Sequence, residues 1–149
     1  MLKIDYINKK SDWEVVLDID ELSKKENKKW VFEGAEWLEP DNIICLISIS
    51  DGGKDEDEIR EFNVKTKEFV KNGFLLEESK GGAGWIDENS ILISRDFGVG
   101  TLTNSGYPRI AKSWARGTPV DAAEIIFEAD TAIAGVWPNT FYTHNKQYT

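Results

Sequence analysis

The sequence predicts an all-β chain assembled from repeated antiparallel four-stranded sheets, and two observations carry that prediction. The segment Gly34-Ala35-Glu36-Trp37-Leu38-Glu39-Pro40-Asp41-Asn42-Ile43-Ile44 returns as Gly82-Ala83-Gly84-Trp85-Ile86-Asp87-Glu88-Asn89-Ser90-Ile91-Leu92, with the tryptophans 48 positions apart. The interval between the copies is filled by short strand-like runs and turn signals, not by helical periodicity. A period of about 40 to 50 residues with this content marks sheets that hide their faces only against neighbouring sheets, as in a β-propeller. A fainter third copy, Ala134-Gly135-Val136-Trp137, places a tryptophan 52 positions after Trp85. Closed propellers take about four to eight sheets, and 149 residues hold about three. The expected architecture is therefore a partial β-propeller of two to three blades. It forms one domain over residues 1–149, with blade-like units at about 28–78 and 79–130 and a divergent tail at 131–149.

Taken in order, Trp13-Glu14-Val15-Val16-Leu17-Asp18 reads as a strand, followed by the acidic, helix-tolerant stretch Ile19 to Ser23. The basic run Lys24-Lys25-Glu26-Asn27-Lys28-Lys29 reads as a solvated loop, because Glu26 interrupts it. Trp30-Val31-Phe32-Glu33 begins the next strand, and Glu39-Pro40-Asp41-Asn42 is a turn. Ile43-Ile44-Cys45-Leu46-Ile47 is apolar on both faces, as expected of a strand sandwiched between two layers. Asp51-Gly52-Gly53-Lys54 is a strong turn signal. Arg60, Phe62 and Val64 then alternate with Glu61, Asn63 and Lys65 at a period of two. Phe62 to Phe69 completes a hairpin, and Phe74-Leu75-Leu76-Glu77-Glu78 supplies another strand.

The second unit repeats the order. Gly84-Trp85-Ile86-Asp87 and Ile91-Leu92-Ile93-Ser94 flank a tight polar turn, and a long loop from Asp96 to Pro108 leads into Arg109-Ile110-Ala111-Lys112-Ser113-Trp114. The Arg116-Gly117-Thr118-Pro119 turn and the strand Ile125-Ile126-Phe127-Glu128 follow. No helix of any length is required anywhere.

Composition narrows the function classes. A net charge of −9 repels nucleic-acid backbones and anionic membranes, so neither is expected as a partner. No secretory signal is recognised, since Met1 to Trp13 is charged throughout. The longest apolar run is far shorter than the roughly 20 residues that span a bilayer. The single Cys45 reads as a buried small hydrophobe, and the expectation is a cytoplasmic protein.

Several of these segments together resemble the prolyl oligopeptidase-like serine peptidases. They are Trp13 to Asp18, Cys45 to Asp55, Ile59 to Asn63, and above all Arg95-Asp96-Phe97-Gly98-Val99-Gly100-Thr101-Leu102-Thr103-Asn104-Ser105-Gly106-Tyr107-Pro108-Arg109. The resemblance runs from about Trp13 to Asp130 and implies the first blades of a seven-bladed propeller that caps an α/β-hydrolase domain. It implies a gating role, in which the propeller's channel excludes large folded substrates from the catalytic site. The family's segment before the propeller is missing from this reading, and Thr131 to Thr149 departs from the pattern, which suggests a truncated, frame-shifted or split reading frame.

The residues that would do the chemistry are not found. A hydrolase of this class needs a Ser on a G-x-S-x-G elbow, followed by Asp and His, and no such elbow occurs in the sequence. Ser50 and Ser105 read as turn formers beside Asp51-Gly52-Gly53 and Asn104-Ser105-Gly106. His144, the only histidine, reads as a surface residue with no nucleophile assignable to it. Cys45 lies in an apolar setting that disfavours the thiolate. The carboxylates Asp55-Glu56-Asp57-Glu58 lack the EF-hand spacing and read as a solvated run. Gly98-Val99-Gly100 lacks the third glycine and the helix of a dinucleotide loop. No catalytic residue, metal ligand or cofactor is assigned. The expected function is a non-catalytic part of the gating propeller, with a stand-alone β interaction module or a decayed gene product as alternatives. The expected partner is a second copy, forming a dimer bridged by the tail through Ile133, Val136, Trp137, Phe141 and Tyr142, or a separately encoded remainder of the peptidase.

Overall fold

The computed structural model describes residues 14–143 and 146–148. Its first element corrects the reading of the leading segment. Glu14 to Asp18 is irregular, not a strand, and the chain then forms helix α1, Ile19–Glu26. Asp18 caps the helix by accepting from the Glu21 backbone N–H at 2.9 Å. Asp20 and Glu21 sit in the first turn and Lys24 and Lys25 in the last, matching the helix dipole at both ends. Asn27, at φ 53°, closes it by donating its N–H to the Ser23 carbonyl. The basic run is thus half helical, Lys24 to Glu26 ending the helix and Asn27 to Lys29 forming the loop into β1, and all of it but Glu26 is exposed.

The first sheet holds β1 (Trp30–Trp37), β2 (Ile44–Asp51) and β3 (Asp57–Asn63) as an antiparallel meander. Beyond β3, the short β4 (Glu68–Phe69) and β5 (Leu75–Ser79) pair with successive parts of the same strand, so the sheet is four strands wide. The second sheet repeats the plan with β6 (Gly81–Asp87), β7 (Ser90–Arg95), β8 (Ile110–Ala115) and β9 (Glu124–Glu128). One residue, Lys80, separates β5 from β6. The crowding there explains Gly81, whose φ is +132° and where a Cβ would stand 1.9 Å from the Ser94 carbonyl oxygen.

The internal echo is a structural repeat. Gly34, Ala35, Glu36 and Trp37 pair with Ser48, Ile47, Leu46 and Cys45. Gly82, Ala83, Gly84 and Trp85 pair with Ser94, Ile93, Leu92 and Ile91, rung for rung. The third echo does not extend this pattern. Ala134 to Trp137 is outside any strand, and the only strands after β9 among the described residues are the small hairpin β10 (Phe141–Thr143) and β11 (Lys146–Tyr148).

Each face of β2 is buried, but by different layers. Leu46 packs with Ile59, Phe74 and Leu76 against Trp85, Ile91, Ile93 and Trp114 of the second sheet. Cys45, Ile47 and Ile49 pack with Trp30 and Phe62 under Leu22 of α1. A continuous apolar strand does mean two covering layers, and here one of them is a helix. No helix of the described residues is long and apolar enough to cross a membrane.

Candidate functional site at the seam between the sheets

The strongest concentration of buried polar chemistry lies where the sheets meet. Arg95 ends β7 and its side chain crosses into the first sheet, where it is 4% exposed. There its guanidinium donates to the carbonyl oxygens of Asp57, Glu77 and Ser79, and it pairs with the Asp57 carboxylate at 3.5 Å. Burial lowers the pKa of Arg95 and raises that of Asp57, each opposed by the other's charge. The three carbonyls converge on one terminal nitrogen, Nη2, while Nη1 faces the Asp57 carboxylate, so a single guanidinium serves backbone and carboxylate together.

A second clamp closes the seam from the other side. Glu61, at 4% exposure, accepts from both terminal nitrogens of Arg116 at 2.8 and 3.0 Å and from the Phe74 backbone N–H at 2.8 Å. The Arg116 guanidinium also lies 4.4 Å from the Phe74 ring centroid. Phe74 in turn meets Trp85 and Trp114 edge-on at 5.8 and 5.1 Å. The Trp85 indole N–H donates to the Glu36 carbonyl of β1 at 2.9 Å. Trp37 holds the matching place in the first sheet, on the face turned away from the second, and is 45% exposed.

Most residues singled out in the sequence prove structural. Ser50 is not a turn residue but a fully buried member of β2, with its hydroxyl donating to Glu33. Ser105 hydrogen-bonds Thr103 and the Ala134 carbonyl, both at 2.8 Å, so it ties the long loop to the later chain. Cys45 is fully buried and its thiol is pushed up to about 11 by desolvation. In the Gly98-Val99-Gly100 stretch, Asp96 accepts from the Gly98 N–H and from the Thr101 hydroxyl, a local turn device. His144 lies outside the described residues.

The acidic run is solvated only in its first half, with Asp55 and Glu56 exposed and Asp57 and Glu58 half-buried, and three of its members find partners. Asp55 accepts from the Tyr107 hydroxyl at 2.8 Å and pairs with Lys80 at 3.3 Å. Asp57 meets Arg95, and Glu58 pairs with Arg60. Glu56 joins Glu78, Lys80 and Asp96 around a cleft of about 380 Å³ beside the long loop. This arrangement holds loops together, and it offers no nucleophile with a base beside it.

On the helix side, Arg60 binds Glu26 of α1 through two nitrogens at 2.7 and 2.9 Å, and Glu26 also accepts from the Trp30 indole at 2.8 Å. The hydrogen bond from Arg60 lowers the Glu26 pKa below its ordinary 4.5. A depressed carboxylate stabilises the fold above its unfolded-state value and loses that contribution as pH falls through its folded value. Discounted for the partial exposure of the pair, the contribution is about 1 kcal/mol. Glu26→Gln is expected to cost that amount at pH 7 and almost nothing well below pH 4. Urea unfolding of both proteins across that range checks it.

The chain after β9 is held against the second sheet of the same molecule. Val136 donates its N–H to the Pro108 carbonyl, and its own carbonyl accepts from the buried Ser94 hydroxyl, both at 2.8 Å. Trp137 packs on Tyr107 at 5.7 Å. Val136 therefore lies on its own sheet, while Ile133, Trp137 and Phe141 of the same segment stay exposed.

Residues 2–137 match the family model described as prolyl oligopeptidase, N-terminal β-propeller domain. The match is wider at both ends than the span from Trp13 to Asp130 and takes in Ala134 to Trp137. The chain is 49% identical over 115 residues to an uncharacterized peptidase of Sinorhizobium fredii, covering 77% of this chain and 16% of that protein. It is 36% identical over 132 residues to an uncharacterized peptidase of Rickettsia prowazekii, covering 83% and 18%. Among solved structures, a post-proline cleaving enzyme from Rickettsia typhi superposes with a TM-score of 0.83 at 34% identity, covering 91% of this chain and 21% of that one. The chain thus spans about a fifth or less of the length of these relatives. With both sheets and the seam between them inside the matched span, the chain belongs to the prolyl oligopeptidase N-terminal β-propeller family.

Proposed function

We propose that this chain supplies the first two blades of the propeller that admits peptides to the catalytic domain of a prolyl oligopeptidase-like serine peptidase. The observation that carries this reading is the seam. Arg95 and Glu61 are buried charges whose partners lie on the other sheet, so the pair is built to stay stacked as neighbouring blades of a gating ring must. The exposed apolar side chains of β9, Ile125, Ile126 and Phe127, support association with further blades, in the same polypeptide or in a separately made one. A cytoplasmic setting is part of the reading, supported by a lone cysteine that is buried and unpaired.

The test replaces the matching part of the Rickettsia typhi enzyme by residues 14–137 of this chain. The expected hybrid folds and cleaves peptides after proline. The 149-residue chain alone is expected to cleave none, because its sequence holds no G-x-S-x-G elbow. A hybrid that does not fold, or cleavage by the purified chain alone that a serine-directed inhibitor blocks, would overturn the reading.

A further inference from the structure

At one end of the seam the turns β1–β2 and β6–β7 line a common recess of about 490 Å³, a size typical of ligand sites. Its floor is apolar, made by the half-buried Leu38, Ile43 and Ile44. Leu38 and Ile44 also pack on the core between the sheets, so the floor is continuous with it. Its rim is acidic from both sides. Glu39 and Asp41 stand on the first turn, Asp87 and Glu88 on the second, and all four are exposed. Among the described residues none of these four is paired with a lysine or arginine, whereas Asp57 and Glu61 inside the seam each hold an arginine. Arg116 donates its Nε to the Glu88 carbonyl, but both of its terminal nitrogens are engaged by Glu61. The turns themselves are held in shape. Leu38 donates its N–H to the Ile44 carbonyl at 2.9 Å and Asn42 donates to the Leu38 carbonyl at 3.1 Å. Asp87 accepts from the Asn89 N–H at 2.7 Å and from the Ser90 hydroxyl at 2.9 Å. A ligand therefore meets a formed surface and need not order a loop first.

An apolar floor under a rim of carboxylates without cations matches one kind of side chain. Lysine and arginine lay a methylene stem on apolar surface while the charged head stays at the wet edge. We infer that this recess docks peptides that carry a lysine or arginine beside an apolar residue, and so favours cationic peptides as substrates of the peptidase. The stem and the neighbouring apolar side chain rest on Leu38, Ile43 and Ile44, and the cationic head meets the carboxylates of both turns. The same rim repels acidic peptides, so selection works by exclusion as well as attraction.

This inference deepens the proposed function and rests on it, and two measurements separate them. In the first, the ¹⁵N-labelled 149-residue chain is titrated at low salt with the acetylated peptide amide Lys-Leu-Gly-Pro, or with the same peptide carrying norleucine for lysine. Backbone shifts are expected at residues 38–44 and 87–89, with the norleucine peptide binding on the order of tenfold more weakly. The triple variant Glu39→Gln, Asp41→Asn, Glu88→Gln is expected to bind the lysine peptide about tenfold more weakly, and its spectrum reports whether it is folded. Equal binding of the two peptides, shifts confined to other residues, or a folded triple variant that binds unchanged would overturn the docking site. In the second measurement the hybrid enzyme cleaves the two peptides as p-nitroanilides. The lysine peptide is expected to have about tenfold higher kcat/KM, carried by KM, and the triple substitution to bring the two within about twofold. A hybrid that cleaves both peptides equally overturns the substrate preference and leaves the proposed function standing. A hybrid that does not fold overturns the proposed function, and the preference with it, whatever the chain alone binds.

Discussion

Arg95→Met is expected to destabilise the 149-residue chain by about 3–5 kcal/mol, the range for breaking a buried ion pair from one side. Methionine fills comparable volume, so little of that cost comes from a cavity. The loss arises because the carbonyls of Asp57, Glu77 and Ser79 lose their donor together, and the Asp57 carboxylate is left buried without its cation. Arg95→Lys keeps the charge but replaces a planar fork by a single point, and it is expected to recover less than half of the loss. The double variant Arg95→Met, Asp57→Asn is expected to be less damaged than the sum of its parts, because the stranded charge is gone. Urea unfolding at pH 7 reads these three and Asp57→Asn alone, and a loss below about 1 kcal/mol for Arg95→Met would show that the clamp does not hold the seam.

The second large effect contrasts two residues that the sequence makes look alike. Trp85→Ala is expected to cost about 3–5 kcal/mol, through the cavity left among Phe74, Ile91 and Trp114 and the loss of the donor to Glu36. Trp37→Ala in the same chain is expected to cost less than about 0.5 kcal/mol, since its ring has no covering sheet. Equal costs would mean that the matching rungs do not carry different burdens. Trp85→Phe isolates the hydrogen bond, and its expected cost of about 1–3 kcal/mol is that of a buried carbonyl left unpaired.

The contrast also shows how far the residues could be read in advance. The shared Gly-Ala-x-Trp context identified the repeat because every inner strand meets the same backbone geometry. Nothing in that context could distinguish Trp37 from Trp85, since the difference lies in what stands on the far side. The uniformly apolar Ile43 to Ile47 correctly implied two covering layers, but pattern alone does not distinguish a helix from a sheet as cover. Helix α1 itself was legible. Asp18 with Glu21 three residues on, acids first and lysines last, and Asn27 behind them form a full set of start and stop signals. The run of Val15, Val16 and Leu17 outweighed them, because strand propensity is conspicuous and a cap is a single residue.

The seam was the part least visible in the sequence. Glu61 fits the alternation of β3 as an outward, solvated position, and Arg116 stands in a turn composition. Their pairing joins residues 55 positions apart, and no local pattern encodes such a partner. The acidic run misled for the same reason. Asp55, Asp57 and Glu58 look like a solvated block until Tyr107, Arg95 and Arg60 arrive from elsewhere in the chain.

That separation sets the order of events during synthesis. The first sheet is complete at Ser79, and its strands pair with sequence neighbours, so its hydrogen-bond ladder can close early. At about 5–20 residues per second, the 55 residues from Glu61 to Arg116 take roughly 3–11 s to appear. Throughout that interval Glu61 has no cation, and until Arg95 emerges the carbonyls of Asp57, Glu77 and Ser79 have water as their donor. The nascent first sheet therefore persists as an open, hydrated ladder. The seam can be complete only once Arg95 and then Arg116 have emerged, so its closure is the late step of the pair's assembly.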